Sequence, residues 1–479
     1  MQTNAEYIEN RRWLVGFAAC FAAVHALYFI AGVRFDRGTL VEVMHFLDAE
    51  LLRDRLLESV WYLHIQPPLL NLFTGLILKV TPESALVFHL IFLACGFLLY
   101  WNVFVLQVKL GVGRPLAAAL ATAFMASPSF ILWEHYLLYT MPIAALLSGA
   151  ALCLLHYLEG HAPRWLAGYF GCVVVLCGIA SMFHLVYFLL ALGGVLFFSR
   201  ARWRQVLAVA LLPFCLVFGF YLKNFLVFGE FNVCTFAEKN LWIMTAGNMP
   251  WDEKTALVEA GKLSDLSLVN RWASLDAYPD RFKQVPDHFA GIPALAATHK
   301  TNGSVNYNHY GYIANCDVYG ADAKYVLRHH PWHFVVAAGQ SWYRYFKSSS
   351  DLPVSPQNQD TMRPAIAFYD YAVYGKSPVD LSGWLRIVEK TGSPPYFFLL
   401  LGLPLVWGYG LWRAARPGAR GFSTPQRAVV LFLALNIAYV ALLGCSLDYL
   451  ETARYRFTTD GLSVVLLGVL LGRKLTVDS

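Results

Sequence analysis

FDRGTLVEVMHFLDAELLRDRLLESVWYLHIQPPLLNLFTGLILKV, residues 35–80, is the stretch on which the folding of this chain turns. Its apolar end, 67–80, falls short of the ~20 residues that cross a bilayer comfortably. Leu69, Leu70, Phe73, Leu76, Ile77 and Val80 recur there at helical spacing while Asn71, Thr74 and Lys79 point elsewhere. That is the pattern of a helix lying in a membrane interface, and Pro67 and Pro68 suit its first turn. The preceding 41–60 reads as an amphipathic helix, with Val43, Leu47, Leu51 and Leu52 on one side and Arg53, Asp54 and Glu58 toward water. If 67–80 crossed instead, every later loop would change sides.

The remainder of the chain shows what those sides are. Apolar residues make up 57% and charged residues 14%, against about a quarter charged in an ordinary soluble domain. Runs near crossing length lie at 13–33, 85–106, 116–132, 139–158, 165–180, 183–198, 206–226, 395–412, 428–445 and 457–471, about ten spans in all. Alternating sides from Arg11 and Arg12 collects Lys109, Arg114, Arg164, Arg200, Arg202, Arg204, Arg413, Arg416, Arg420, Arg427, Arg473 and Lys474 on one face. Basic short loops mark the cytoplasmic side. The first apolar run lacks a small-residue cleavage pattern and reads as a retained anchor. The net charge of +6 is carried by these inner loops and predicts no nucleic-acid partner.

The same alternation puts 34–84, 227–394 and the connections around Glu134 and Glu451 outside. The expected architecture is an all-α membrane protein: an N-terminal module over 1–226, an outer cap over 227–394 and a C-terminal membrane module over 395–479. Interfacial helices occupy the first outer loop, and 331–347 reads as another, with Phe334, Val335, Ala338 and Trp342 opposed to Arg344 and Lys347. The cap's aromatics, among them Tyr307, Tyr312, Tyr319 and Trp342, argue for order over a floppy linker. Of nine cysteines, Cys20, Cys95, Cys153, Cys172, Cys177 and Cys215 fall in spans as small apolar residues. Cys234 and Cys316 share the outer segment, where an oxidising compartment permits a disulfide if distance allows. No Cys/His spacing resembles a zinc site. His329, His330 and His333 lie close in sequence without an evident ligand set, and no metal or cofactor is expected.

Asp36, Asp48, Glu134 and Glu451 are the acids at span ends on the outer face, and Arg34, Lys223, Arg344, Lys347, Arg454 and Arg456 are the cations. Taken singly, each reads most simply as a solvated interfacial charge. Gathered at one membrane surface they point to function, because charge near lipid is costly. Transfer from a lipid-phosphate sugar requires such a set: a base for the acceptor hydroxyl, cations for the departing phosphate and an apolar groove for the tail.

The order of these residues resembles a family. An acid in the first outer loop followed by HIQPPLLN (residues 64–71) is similar to the C-type glycosyltransferase superfamily, in the bacterial branch related to protein O-mannosyltransferases and the lipid A aminoarabinose transferase. SPSFILWEHYLLYTMP (127–142), YLKNFLVFGEF (221–231) and RYRF (454–457) resemble further pieces of that pattern, in order, over most of the chain. The resemblance implies that a first-loop acid acts as base or orients the acceptor, which falls on Asp48, with Asp36 second. Where the family often has an acid directly before the proline that opens the fourth span, this chain has Thr140-Met141-Pro142, leaving Glu134 as the nearest replacement, with His135 beside it. The resemblance further implies substrate contacts from His64, Gln66, His135, Lys223, Asn224, Arg454 and Arg456. Lys223 stands where relatives commonly have arginine.

The function so implied is an inverting glycosyltransferase of the bacterial inner membrane. It would take a polyprenyl-phosphate sugar, such as an undecaprenyl-linked one, to a lipid, glycan or protein acceptor at the periplasmic face. A transporter or flippase of a lipid-linked glycan is the rival from another class. It calls for repeated halves and broken helices at the midplane, and the sequence displays neither.

Overall fold

A computed structural model describes residues 4–379, 394–415, 422–448 and 450–474. Among them the chain is helical, with isolated β-bridges and no strand. α1 (Asn4–Ala31) leads into α2 (Thr39–Glu42), α3 (Ala49–Asp54), α4 (Leu56–Trp61) and α5 (Leu69–Val80). Then come α6 (Ser84–Lys109), α7 (Arg114–Met125), α8 (Pro128–Glu134), α9 (Thr140–Gly160), α10 (Pro163–Ile179), α11 (Leu185–Phe198) and α12 (Trp203–Phe228). The long segment that follows holds α13 (Ala237–Met244), α14 (Trp251–Glu259), α15 (Pro293–Ala296), α16 (Gly311–His329), α17 (Trp332–Tyr345), α18 (Pro356–Thr361) and α19 (Arg363–Phe368). α20 (Leu403–Ala415), α21 (Thr424–Leu447) and α22 (Thr452–Lys474) complete the order.

Seven of the described helices are long and apolar enough to cross a membrane, or eight if α7 and α8, bent by 60°, make one span. The bend falls where Ser127 caps α8 by accepting the Phe130 amide and Pro128 has no amide to continue the ladder. α10 and α11, expected as spans, have 17 and 14 residues. Their rise of about 26 and 21 Å stops short of a ~30 Å hydrocarbon core.

The connections sort into two faces. On one, the Gln426 amide donates to the Lys109 carbonyl at 2.7 Å and Gln205 to the His161 carbonyl at 3.3 Å. This is the basic face; Arg416 and Arg420 lie outside the described residues. On the other, the Asp36 amide donates to the His135 carbonyl at 2.7 Å, Asn358 to the Arg34 carbonyl at 2.7 Å and the His64 amide to Asn308 Oδ1 at 3.0 Å. The alternation of spans predicts the same grouping.

The helix expected over 41–60 is broken into α2, α3 and α4: Asp48 caps α3 by accepting the Glu50 amide, and Arg55 leaves helical geometry at φ −127° before α4. α5 is a separate short helix as expected; Leu70 and Ile77 are buried beside its polar residues, and Lys79 is exposed. Asn71 and Thr74 are fully buried while Leu76 and Val80 are 51% and 83% exposed. Asn71 accepts the Leu47 amide at 2.8 Å and donates to the His45 carbonyl at 2.9 Å. Lipid solvates apolar side chains as well as the protein interior does, so it is the polar groups that must turn inward. α17 does the same, burying Gln340 and Ser341 and exposing Trp332 and Val335. Cys234 and Cys316 are both free, the Cys234 thiol donating to the Ile65 carbonyl at 2.9 Å.

Candidate active site

Where α22 begins, its first turn is held from the side by α17. Thr452 Oγ1 donates to the Ser341 carbonyl at 2.9 Å, and Ser341 Oγ to the Asp448 carbonyl at 2.6 Å. That grip carries Arg454 into the interior, with its side chain 3% exposed. Its Nη2 pairs with Glu451 at 2.9 Å and donates to the Tyr455 hydroxyl at 3.3 Å, while Tyr455 donates to Asp448 Oδ2 at 3.1 Å. Arg454 Nη1 donates to the Tyr139 hydroxyl at 3.4 Å, and that hydroxyl lies 3.0 Å from His45 Nε2. Because Tyr139 accepts from the guanidinium, its own proton is free for His45 Nε2, which assigns the imidazole proton to Nδ1. His45 Nδ1, Arg454 Nε and Thr140 Oγ1 are buried without a partner. Each such orphan costs about 1–3 kcal/mol, which a polar ligand would offset.

Charges of both signs meet here, Arg454 and Lys300 against Glu451, Asp448 and Asp48. Burial pushes His45 down to about 3, and the charges of Arg454 and Lys300 push in the same direction. The imidazole is therefore neutral between two cations. Lys300 is itself buried, and burial lowers its ammonium to about 8, partly opposed by Asp48. Asp48 accepts the Thr301 amide at 2.7 Å and the Thr301 hydroxyl at 2.8 Å as well as the Glu50 amide at 3.1 Å. With about four lone-pair directions on a carboxylate, roughly one is left for an acceptor hydroxyl. Asp448 is raised by burial and by Glu451 beside it.

An apolar cavity of about 700 Å³ runs from this polar group between α5, α6, α9 and α10. Leu69, Phe73, Phe92, Leu146 and Trp165 are among its walls, and so is Tyr139. One residue thus borders both the cation pair and the groove.

The remaining sequence-derived candidates fall into other groups. His64 uses both ring nitrogens: Nε2 donates to the Asn308 carbonyl at 3.0 Å, so Nδ1 accepts from Thr235 Oγ1 at 2.8 Å. Gln66 is buried in the same turn. Lys223 donates to the Leu63 carbonyl at 2.6 Å, and Asn224 to the Asn232 carbonyl at 2.8 Å. Lys223 thus ties the 62–66 stretch to α12, and His64 ties it to the long segment. Arg456 is 1% exposed and binds Asp460 at 3.1 Å and the Tyr345 and Lys347 carbonyls. Two positions on a helix are about 200° apart, so it faces away from Arg454. Glu134 is fully buried against His25 Nε2, with His135 Nδ1 at 4.0 Å. Since His25 Nδ1 donates to the Phe21 carbonyl at 2.8 Å, one proton lies between Nε2 and the carboxylate. Asp36 uses its backbone to hold the 135–137 turn and its carboxylate to accept the Gly38 amide at 2.8 Å.

His45, Tyr139, Lys300, Asp448 and Tyr455 were not singled out from sequence. The local signals are slight: His45 stands shortly before Asp48, and Lys300 opens a Lys-Thr-Asn-Gly turn.

No family model matches the chain, and no curated protein does. Among solved structures it is similar to the crystal structure of ArnT from Cupriavidus metallidurans bound to undecaprenyl phosphate. Identity is 16% and the TM-score 0.30, over 97% of this chain and 78% of that one. The likeness is too slight to carry any residue's role across.

Proposed function

We propose that this protein is an inverting glycosyltransferase that moves a sugar from a polyprenyl-phosphate donor to a hydroxyl acceptor at the outer face of the bacterial inner membrane. The observation that carries the reading is Tyr139, which lines the apolar groove and also hydrogen-bonds both Arg454 and His45. A lipid phosphate has those two halves: a tail that fills the groove and an anion that meets Arg454 and Lys300. As the glycosidic bond breaks, negative charge grows on the phosphate, and the two cations stabilise it more in the transition state than before. Asp48, beside Lys300, is the carboxylate placed to draw the proton from the acceptor hydroxyl. Lys223 and Arg456 act through the shape of the site, not on the phosphate.

The test is to incubate the purified protein with candidate polyprenyl-phosphate sugars and follow release of polyprenyl phosphate. Sugar-dependent release that Arg454→Ala loses supports the reading. Transbilayer movement of a lipid-linked glycan without cleavage would establish the flippase instead.

A further inference from the structure

We infer that Glu253, His330 and His333 form a binding site for a zinc-like divalent transition-metal ion. Glu253 lies in the first turn of α14, His330 caps the end of α16 and His333 lies in the first turn of α17. Glu253 Oε1 is 3.3 Å from His330 Nδ1 and 3.1 Å from His333 Nε2, and all three ligand atoms lie within 4.8 Å of one another. Four ligands at ~2.0–2.1 Å from a tetrahedral ion are separated by about 3.3 Å, so two of the three edges are already at ligand spacing. Two imidazoles and one carboxylate are a donor set that suits zinc, with the fourth position open to water. The three side chains are half-buried, with His333 the least exposed at 17% and Glu253 the most at 37%, so an ion reaches them from solvent.

The site would act as a staple. α14 and α16 both pack on the turn Asp265–Leu268, and a bound ion would tie α14 directly to the N-terminal end of α17. α17 is the helix whose Ser341 holds the Asp448 turn and whose last residue, Tyr345, lends its carbonyl to Arg456. Metal occupancy therefore stiffens the support of Arg454 from a distance, whatever reaction Arg454 serves.

The experiment uses the full-length chain without a histidine tag, in detergent, stripped with chelator and titrated with Zn²⁺ or Co²⁺ alone. One equivalent should bind at micromolar concentration or tighter, Co²⁺ giving the intense visible bands of a four-coordinate site. Glu253→Gln and His333→Ala should each weaken binding at least tenfold, and His329→Ala, whose exposed side chain is outside the set, should leave it unchanged. In the unmodified chain, Zn²⁺ should protect His330 and His333, but not His329, from acylation by diethyl pyrocarbonate, a readout that needs no variant to fold. Equal binding by the unmodified chain and the His330→Ala/His333→Ala double variant, no saturable binding, or no selective protection would overturn the assignment.

Discussion

Arg454 Nη1 donates to the Tyr139 hydroxyl at 3.4 Å although the two residues are 315 positions apart. If this contact marks the phosphate site, Arg454→Ala should lower kcat/KM for a polyprenyl-phosphate donor by roughly 10- to 100-fold, the worth of a charge-assisted hydrogen bond or two. Arg454→Lys should fall between, keeping the charge and losing the fork. Arg456→Ala should act differently, lowering yield and apparent Tm, because the two carbonyls it binds are left unpaired in the interior. Steady-state kinetics beside thermal melts of the three variants separates the roles. Equal kinetic losses without a stability difference would merge them.

Asp48 is both a helix cap and the proposed base. Asp48→Asn should reduce kcat by about a hundredfold or more if it takes a proton in the transition state. Thr301→Val, which removes only one of its hydrogen-bond donors, should cost far less. Comparable losses in both variants would make Asp48 an anchor for the 300–304 turn and hand the base role to Asp36 or Glu134.

Lys300 supplies a pH dependence whose sign is determined. Its ammonium, lowered to about 8 from 10.5, is charged below that pH and neutral above it. Donor affinity should therefore weaken as pH rises through about 8, and Lys300→Met should remove that limb of the profile. Stability should move the opposite way. The folded chain gives up this proton before the unfolded chain does, so Lys300 costs stability below about pH 8 and the cost disappears as pH rises toward 10.5. Binding isotherms and melts over pH 7 to 10 test both halves.

Gly96 makes room for a carboxylate. A Cβ at that position would stand 1.7 Å from Glu134 Oε1, with the rest of the buried side chain close behind. Gly96→Ala should destabilise by about 1–3 kcal/mol through overpacking, whereas Gly16→Ala, where nothing lies within 4 Å, should be neutral or slightly stabilising. Thermal melts of the two purified variants decide it.

Sidedness is open to direct labelling. Cysteine introduced at position 202 should resist an impermeant thiol reagent in intact cells, and cysteine at position 302 should react. Labelling at 202 from outside would reverse the orientation of the chain and with it the face on which donor and acceptor meet.

That lipid surrounds the chain, and which connections share a face, could be read from the residues in order, because hydropathy over ~20 positions and the Lys/Arg content of short loops are local quantities. Helix interruptions were not readable: one span is expected over 116–132, which Ser127 and Pro128 break, and the capping of α3 by Asp48 depends on Thr301, 253 positions away, to hold the carboxylate. Which side of the short helices is buried was not legible, for a physical reason. Amphipathic spacing identifies two faces but not which one meets lipid, and at α5 the polar face with Asn71 and Thr74 is the inner one. Arg454 stood out as a cation at a span end, but its partners did not. His45 and Tyr139 are 94 positions apart, and Glu253 and His333 80. Such pairs leave no periodicity or spacing in a single sequence; they arise where packed helices and the long segment bring chain ends together, and only there do lone histidines, a tyrosine and a lysine become a site.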